Sequence, residues 1–398
     1  MSRRLLVVPL LAAIALGSMI TIQDSSVASS PGGSKLILDQ SPLLPTDETD
    51  SHPSWVQGVV RLWNPPPLIP DPPDMADYLL LVAWNRTAAM SLPRVDHTAT
   101  LLANGKVLVA GGANNKGTLK SCEVYDPVME TWTPTGSLNS DWHQGHAATL
   151  LADGRVLVVG GLYSPPASCE LYDPQNGTWK KTAYLYSGTP FVALLLRNKS
   201  VFVTGGLFSS DRCFLFDPVT EKWNPGAPLP EPISISKPVL LQSGKVLLAV
   251  GVRPFGGTRS LVYDPTNDQW DYSGSSNLEH SFRACPPILL KSGKVLVADG
   301  PKSELFDNGV WSLINGTGAS TSSLALLQDG RVMGGNTDVS NNKAIFVFQE
   351  GGGWSRDEDM NVARENQTFT ALPNGKILVT GGANRVDGPL SSCEIYTP

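Results

Sequence analysis

Histidine, arginine and cysteine side chains stand at fixed distances before a recurring pair of apolar segments, where they are available to bind a ligand or a metal. Aligned on the turn between those segments, one column contains His97, His146 and Cys285, and the column three residues earlier contains Arg94, His143 and Arg364. Imidazole and thiolate bind transition metals, and guanidinium pairs with acidic groups. Neither column contains tyrosine, and no spacing demands a metal. We find no Ser-His-Asp triad, phosphate-binding glycine loop or paired-carboxylate motif.

Further polar and aromatic residues lie in the loops beside these columns. They do not repeat from one segment pair to the next, which favours recognition over a scaffold role. Aromatic rings there could stack on a sugar or anchor a protein side chain. The complete set of candidate ligand-contact residues is Arg94, Asp96, His97, Asp141, Trp142, His143, His146, Tyr163, Phe208, Arg253, His280, Arg283, Arg364 and Glu365. For His97 and His146, a structural hydrogen bond to an adjacent loop stays open as the alternative.

The elements that must position these residues are short strands in a repeated order. Asn104-Gly105 lies between two alternating apolar runs and predicts a tight hairpin, because such a turn needs positive φ. Equivalent turns follow at Asp153-Gly154, Ser243-Gly244, Ser292-Gly293, Asp329-Gly330 and Asn374-Gly375, with Asn198-Lys199 as the exception. Four strand signals recur with a period of about 45 residues, which predicts the blades of a β-propeller.

Two residue types mark each repeat. Glycine ends the second strand, at Gly112, Gly161, Gly206, Gly251, Gly300, Gly335 and Gly382, and tryptophan marks the fourth strand, at Trp132, Trp179, Trp223, Trp270, Trp311 and Trp354. We expect the indole rings to be buried, since each removes up to about 200 Å² from water. We expect the glycines to leave room for those rings and to let backbones approach closely.

The ends of the chain predict seven blades and a closed ring. The last repeat stops after the strand at Cys393–Tyr396 and has no fourth strand of its own, while an unmatched strand precedes the first repeat. We therefore expect residues 78–90, with Trp84, to supply the missing outer strand. Closure of this kind removes two exposed sheet edges.

The repeat resembles the kelch family in its paired glycines, an aromatic near Tyr125 and a Trp at the matching distance, over residues 78–398. The resemblance implies an all-β, seven-bladed kelch-type propeller that serves as an interaction platform. It also implies a likeness to the propeller of galactose oxidase, a family that binds copper through two tyrosines and two histidines. One of those tyrosines is cross-linked to a cysteine, and an added C-terminal domain, which we do not expect here, contributes a ligand.

The bulk properties and the N-terminal region bear on location and partners. The net charge of −6 and the pI of about 5.4 argue against nucleic acid as a partner. Residues 1–28 have the pattern of a cleaved export signal, with an uncleaved membrane anchor over residues 5–22 as the alternative. Residues 29–77 form a Pro-rich extension ahead of the propeller at residues 78–398. We expect a secreted monomer without a cofactor.

Asparagine and cysteine residues fit this expectation. Five N-glycosylation sequons are candidates for modification, at Asn85, Asn176, Asn198, Asn315 and Asn366. Five cysteines cannot all pair within one chain. Four share one repeat position at the start of the third strand, which favours small buried thiols, and a Cys122–Cys393 bridge across the closure is the alternative.

These observations rank three functions. The first is an exported, non-catalytic propeller that binds a protein or carbohydrate through its inter-blade loops. The second is a copper-dependent enzyme like galactose oxidase that lacks the C-terminal domain. The third is a surface or matrix structural protein retained at the membrane by its N-terminal segment.

Overall fold

The protein is an all-β propeller of seven four-stranded antiparallel blades. The structure is a computed structural model that describes residues 83–140, 143–161, 167–185, 193–204, 211–230, 234–252, 259–278, 287–299, 302–316, 321–336 and 343–398. The predicted export signal and the Pro-rich extension lie outside these residues. The described residues contain no helix.

The blades follow one another around the ring in chain order. From the innermost strand outward, blades 1 to 4 contain β2 (Thr98–Leu101), β3 (Val107–Ala110), β6 (Cys122–Asp126) and β7 (Thr131–Thr135); β8 (Ala147–Leu150), β9 (Val156–Val159), β10 (Cys169–Asp173) and β11 (Thr178–Lys181); β12 (Ala193–Leu195), β13 (Val201–Thr204), β14 (Cys213–Asp217) and β15 (Lys222–Pro225); and β16 (Ser234–Leu240), β17 (Val246–Val252), β18 (Arg259–Asp264) and β19 (Gln269–Ser275).

Blades 5 to 7 have the same layout. They contain β20 (Ile288–Leu289), β21 (Val295–Asp299), β22 (Lys302–Asp307) and β23 (Val310–Asn315); β24 (Thr321–Leu326), β25 (Val332–Asn336), β26 (Ile345–Gln349) and β27 (Gly353–Arg356); and β28 (Thr368–Ala371), β29 (Ile377–Thr380), β32 (Cys393–Tyr396) and β1 (Trp84–Thr87). Two small hairpins stand on blades 1 and 7, formed by β4 (Ala113–Asn114) with β5 (Gly117–Thr118) and by β30 (Ala383–Asn384) with β31 (Gly388–Pro389).

The N-terminal strand closes the ring, as the sequence predicts. β1 is the outer strand of blade 7 and runs antiparallel to β32, with Trp84 opposite Tyr396 and Thr87 opposite Cys393. Each inner strand contacts the inner strands of both neighbouring blades, including β28 with β2 across the closure. The seven-bladed, closed architecture is therefore confirmed.

Tryptophan joins adjacent blades as well as packing within one. In blade 1 the rings of Trp132 and Tyr125 are 5.0 Å apart, and the indole N–H of Trp132 donates to the carbonyl of Ala88 at the end of the preceding blade, at 2.9 Å. The indole N–H groups of Trp84, Trp179, Trp223 and Trp270 donate to backbone carbonyls of the preceding blade in the same way. Most of these indoles are half-buried and lie on the outer strands of their blades.

The paired glycines accept the backbone of neighbouring loops. A Cβ on Gly112 would lie 2.5 Å from the carbonyl oxygen of Val95, and one on Gly111 would lie 2.6 Å from that of His143. Both glycines have positive φ, at 86° and 60°. The predicted close approach is confirmed, but the expectation that these glycines leave room for the indole was wrong, since the nearest atoms to Gly112 belong to a loop.

All six turn glycines have positive φ, and at Gly244, Gly293, Gly330 and Gly375 a side chain of the preceding blade also comes close. A Cβ on Gly293 would lie 2.9 Å from Gln242, whose amide donates to the Lys291 carbonyl, and a Cβ on Gly244 would lie 3.0 Å from Arg197. Where the preceding blade has alanine at this position, as at Ala152, no long side chain from that position approaches the turn. Lys199 can therefore replace glycine in blade 3, with φ at 72°.

Replacing Gly112 by alanine tests the close backbone approach. Gly154 is the matched control, because its φ of 90° resembles the 86° of Gly112 and a Cβ there would meet nothing within 4 Å. We expect Gly154→Ala to lower the free energy of unfolding by about 1 kcal/mol from backbone strain alone. Gly112→Ala should cost about 3 kcal/mol or more, because a carbonyl must also move. Equal shifts of the urea midpoint in the two variants would contradict this explanation.

Candidate functional site

The described loops that carry predicted ligand contacts, on blades 1, 2 and 7, lie at one end of the propeller. We call this end the loop face: it contains the connections from each fourth strand to the next blade and the connections between second and third strands. Backbone hydrogen bonds join the two kinds of loop, between Val95 and Ala113 on blade 1 and between Glu365 and Ala383 on blade 7. The described residues therefore bring the two kinds of loop together on blades 1 and 7, and the grouping of the predicted contacts on the other blades stays a prediction.

Arg94 is fully buried beneath the loop face and bound to its own blade. One guanidinium nitrogen donates to the carbonyls of Gly111 and Ser121 at 2.8 and 2.9 Å, and the other pairs with Glu123 at 3.1 Å. Burial lowers the pKa of Arg94 against the opposing field of Glu123. The structure therefore gives this arginine an internal acidic partner and no exposed surface.

Arg364 repeats the arrangement on blade 7. Its guanidinium donates to the carbonyls of Gly381 and Ser392, both at 2.8 Å, and pairs with Glu394 at 2.8 Å. Both side chains of this pair are fully buried. A ligand contact by either arginine would need that pair to open, so a direct role remains a prediction that these internal bonds do not support.

His143 takes the place of these arginines in blade 2. Its Nδ1 lies 2.7 Å from the Gly160 carbonyl, and its Nε2 lies 3.3 Å from Glu170. Burial raises the pKa of Glu170, but the hydrogen bonds from His143 and Asn139 outweigh it and leave that pKa below its ordinary value. His143 is therefore part of the same internal network.

The glutamate column is the component that sequence reasoning missed. Glu170 accepts the backbone N–H groups of Asn139 and Ser140 and so holds the loop that enters its blade. The same position is occupied by Glu123, Glu304 and Glu394, which accept backbone N–H groups of their own entering loops. The sequence signal for this column is a glutamate that directly follows the cysteine in most of the third strands that begin with cysteine. We call each glutamate with its Arg or His partner a loop clasp.

His97 and His146 bond to the preceding blade. His97 Nε2 lies 2.9 Å from Thr380 Oγ1, and His146 Nε2 lies 2.8 Å from Thr98 Oγ1. Burial lowers the pKa of each imidazole to about 3, with Arg94 adding to the effect at His97 and His143 at His146. Both buried rings therefore favour the neutral form and make internal hydrogen bonds, with strand residues Thr380 and Thr98 as the Nε2 partners instead of the loop groups that the alternative names, while the His146 Nδ1 lies 2.9 Å from the loop carbonyl of His143.

Asp96 and Glu365 are nearer the solvent. Asp96 adopts a left-handed φ of 53°, its backbone carbonyl accepts the N–H of Gly145, and its carboxylate accepts the amide of Gln144 at 3.0 Å. Asn366 has the equivalent left-handed conformation on blade 7, with φ of 55°. The predicted contacts Asp141, Trp142, Tyr163, Phe208, Arg253, His280 and Arg283 lie outside the described residues, as does Cys285.

Two hairpins project from the loop face beside the ring closure. We call them the closure hairpins: residues 113–118 on blade 1 and residues 383–389 on blade 7. They lie side by side, since a Cβ added to Gly388 would be 3.4 Å from the Asn115 amide. Their tips are exposed and include Lys116, Arg385 and Val386, the last of which is 91% exposed.

The clasps fix the bases of these hairpins. Each buried arginine donates to the carbonyl of the first paired glycine, Gly111 or Gly381, and the hairpin begins just after the second. The apolar residues that follow each hairpin, Leu119 and Leu390, donate their backbone N–H groups back to Gly112 and Gly382 at 2.8 Å. The exposed tips therefore stand on rigid bases.

All five sequon asparagines have exposed side chains. Asn176 and Asn198 lie in turns at the end opposite the loop face, and each accepts a hydrogen bond from the hydroxyl of its own sequon, Thr178 at 2.5 Å and Ser200 at 2.7 Å. Asn85, Asn315 and Asn366 lie in β1, in β23 and on the loop face, respectively. Their glycosylation stays a prediction.

The described residues provide no grouped metal ligands. No set of three or more His, Cys, Asp or Glu side chains that could hold a metal occurs among them. Cys122, Cys169, Cys213 and Cys393 are free and buried, so the Cys122–Cys393 bridge is not formed. The described segments also contain no helix that is long and apolar enough to cross a membrane.

Comparisons with known proteins agree on the architecture. A model of the kelch motif matches residues 94–139. The fold is similar to a fungal alcohol oxidase of the AA5 family in complex with copper, with a TM-score of 0.65 and 16% identity over 79% of this chain and 76% of that chain. It is also similar to a streptogramin B lyase, with a TM-score of 0.57 and 11% identity over 79% and 97% of the two chains. At these identities the similarity shows the fold alone, and no curated protein matches the chain in sequence.

The loop clasp predicts a large cost for removing one charge of a buried pair. Arg364→Met leaves Glu394 buried without its guanidinium, so we expect the free energy of unfolding to fall by about 3–5 kcal/mol. Adding Glu394→Gln should restore part of that loss. The control is Arg356→Met in the exposed pair with Asp359, where we expect about 1 kcal/mol or less. A urea titration followed by Trp fluorescence measures each value, and equal losses at Arg364 and Arg356 would contradict the clasp.

The four described cysteines should be unreactive in the native protein. Burial raises the pKa of Cys122 and Cys393 to about 11, and that of Cys169 and Cys213 to about 12, so little thiolate forms at pH 8. We expect alkylation at pH 8, mapped by mass spectrometry, to modify none of the four until denaturant is added. Modification of any of them in the native state would show that its blade boundary opens.

Proposed function

We propose that this protein, a seven-bladed β-propeller of the kelch type, is an exported and non-catalytic module that binds a protein or carbohydrate through its loop face. The observation that carries the proposal is the pair of closure hairpins. They carry exposed tips on the loop face and stand on buried clasps. A rigid scaffold that presents exposed loops is the usual arrangement of a binding surface.

The chemistry of the hairpin tips suits recognition. Lys116 and Arg385 are exposed cations, Asn115 provides an amide, and Val386 adds apolar area. Cations pair with acidic groups, amides hydrogen-bond to sugar hydroxyls or peptide groups, and an exposed valine gains by burial against a partner. The aromatic candidates on the other loops, Trp142, Tyr163 and Phe208, belong to the same proposal.

Rigid bases also favour binding over flexible wrapping. Each hairpin base is fixed by backbone hydrogen bonds and a buried guanidinium, so little conformational entropy is lost when a ligand binds. Preorganisation of this kind increases affinity without further contacts. The direct contacts would then come from the tips, while Arg94 and Arg364 act as positioning residues beneath them.

Export is part of the proposal and rests on the N-terminal pattern and the sequons. A structural role at a surface or in a matrix, with residues 5–22 retained as an anchor, is the competing form. N-terminal sequencing of the mature protein separates the two. A start near residue 29 supports secretion, and an intact Met1 supports retention.

A copper oxidase is the second candidate, favoured by the similarity in fold to a fungal alcohol oxidase that was solved with copper. The described residues do not fit such a centre, because His97 and His146 are bonded to threonines and no third ligand joins them. Metal analysis of the purified protein is the test. Stoichiometric copper together with alcohol-oxidising activity would replace the binding proposal.

The closure hairpins should matter for ligand binding and the opposite end should not. A protein and glycan array identifies a ligand, and the double variant Arg385→Ser with Val386→Ser is then compared with Val219→Ser. Val219 is also 91% exposed but lies at the end of the propeller opposite the loop face. We expect the double variant to weaken binding about tenfold, which corresponds to about 1.4 kcal/mol, and Val219→Ser to leave it unchanged. Loss in the control, or full binding by the double variant, would remove the loop face as the site.

A further inference from the structure

The outer strands of the blades share one position at which the side chain protects the sheet edge from pairing with another strand, except in one blade. Two residues after each outer-strand tryptophan, the seven blades have Pro134, Lys181, Pro225, Tyr272, Leu313, Arg356 and Arg86. Charges and prolines at this position stop another strand from pairing with an exposed edge. Tyr272 is covered by the guanidinium of Arg259, 5.3 Å from the ring centre. Leu313 in blade 5 is the unguarded residue of the series.

The edge at Leu313 offers both backbone groups and apolar surface. β23 is the last strand of its sheet, and within the described residues no strand lies beyond it. Val310 and Leu313 are 64% and 57% exposed. β23 contains neither a proline nor a charged residue, unlike the outer strands of the other six blades. An edge of this kind is a template for an additional strand.

The register shows that the N–H of Leu313 points away from the sheet. Leu313 lies opposite Glu304, as Pro134 lies opposite Glu123 and Pro225 opposite Phe214. Proline has no N–H and still keeps the pairing in blades 1 and 3. The N–H at this position is therefore not needed by the sheet, and in blade 5 it is directed outward.

A groove runs along the same strand. It has a volume of about 1000 Å³ and lies between blades 5 and 6, lined by alternate residues of β23. Those residues are Val310, Ser312 and Ile314, with Asn315 added at the end of the strand, and Phe348 and Trp354 form part of the facing wall. Side chains of an added strand alternate in direction, so every second one would enter this groove.

The end of the groove carries a net negative charge. Lys294 lies 3.0 Å from Glu350 and 4.0 Å from Asp307, so one ammonium faces two carboxylates. The excess carboxylate favours a basic side chain on the occupant. We propose that an extended segment of a partner protein, with aliphatic side chains at alternate positions and a basic residue at one end, docks as a fifth strand on β23. This site is separate from the loop face.

The test uses a fluorescein-labelled synthetic peptide of alternating valine and threonine that ends in lysine, measured by fluorescence anisotropy against the full chain produced without glycans. We expect saturable binding that weakens about tenfold or more with Leu313→Pro and with Leu313→Lys. These changes copy residues that blades 1 to 3 already tolerate at this position. Thr133→Lys, on the exposed outer strand of blade 1, is the control and should bind as the unmodified protein does.

A second peptide keeps the test independent of protein stability. N-methylation of alternate residues removes the backbone N–H groups that an added strand needs, while the side chains remain. We expect this peptide not to bind. Equal binding of the methylated peptide, no saturable binding of the first peptide, or a dimer of the chain that Leu313→Lys abolishes would each overturn the proposal.

Discussion

Four residue pairs between β1 and β32 hold the two ends of the propeller together. They run from Trp84 opposite Tyr396 to Thr87 opposite Cys393, and the N–H of Thr397 adds a bond to the Ala83 carbonyl. This pairing gives blade 7 its outer strand and positions the indole N–H of Trp84 to donate a hydrogen bond to the Glu358 carbonyl of blade 6. Because each blade packs only on its two neighbours, the ring stays closed only while every boundary between blades holds. The closure hairpins lie at the boundary between blades 7 and 1.

The fold could be predicted from sequence because its signals are local and repeated. The Asn-Gly turns, the paired glycines and the regular Trp each encode a backbone conformation or a packing contact within one repeat. The exception at Asn198-Lys199 was visible too. The structural reason for this exception was not visible, because it depends on the neighbouring blade, where the short side chain of Ala152 leaves room beside the turn.

The candidate site was harder to predict because its chemistry depends on partners from distant parts of each repeat. Arg94 and Arg364 are polar residues in loops, which indicates recognition when a single sequence is considered. The structure pairs each with a buried glutamate about thirty residues away. Periodicity locates such residues but does not give the direction of a side chain. The glutamates themselves lie inside strands that look like ordinary core.

The clasps separate the buried residues that hold the loops from the exposed residues at the hairpin tips. The charged groups that hold the hairpin bases are out of reach of solvent, and the side chains of Lys116, Arg385 and Val386 at the tips form no part of the clasps. These three side chains can therefore change without loss of the clasps, whereas the Asn384 side chain accepts the N–H groups of Val386 and Asp387 and so helps to hold its own tip. A propeller of this construction can present different ligand contacts on an unchanged scaffold, which accords with the variety of functions found on one fold.

The position of β1 also determines when the molecule can be completed during synthesis. β1 is the first strand of the propeller to leave the ribosome, and the strand that it pairs with is the last. Blades 1 to 6 can each assemble from consecutive segments as they emerge, whereas Trp84 must wait for Tyr396. Long-range pairing of this kind is slow, and an unpaired apolar strand promotes aggregation. The nascent chain therefore carries an unsatisfied strand while the six intervening blades are made, a period in which chaperones would protect it.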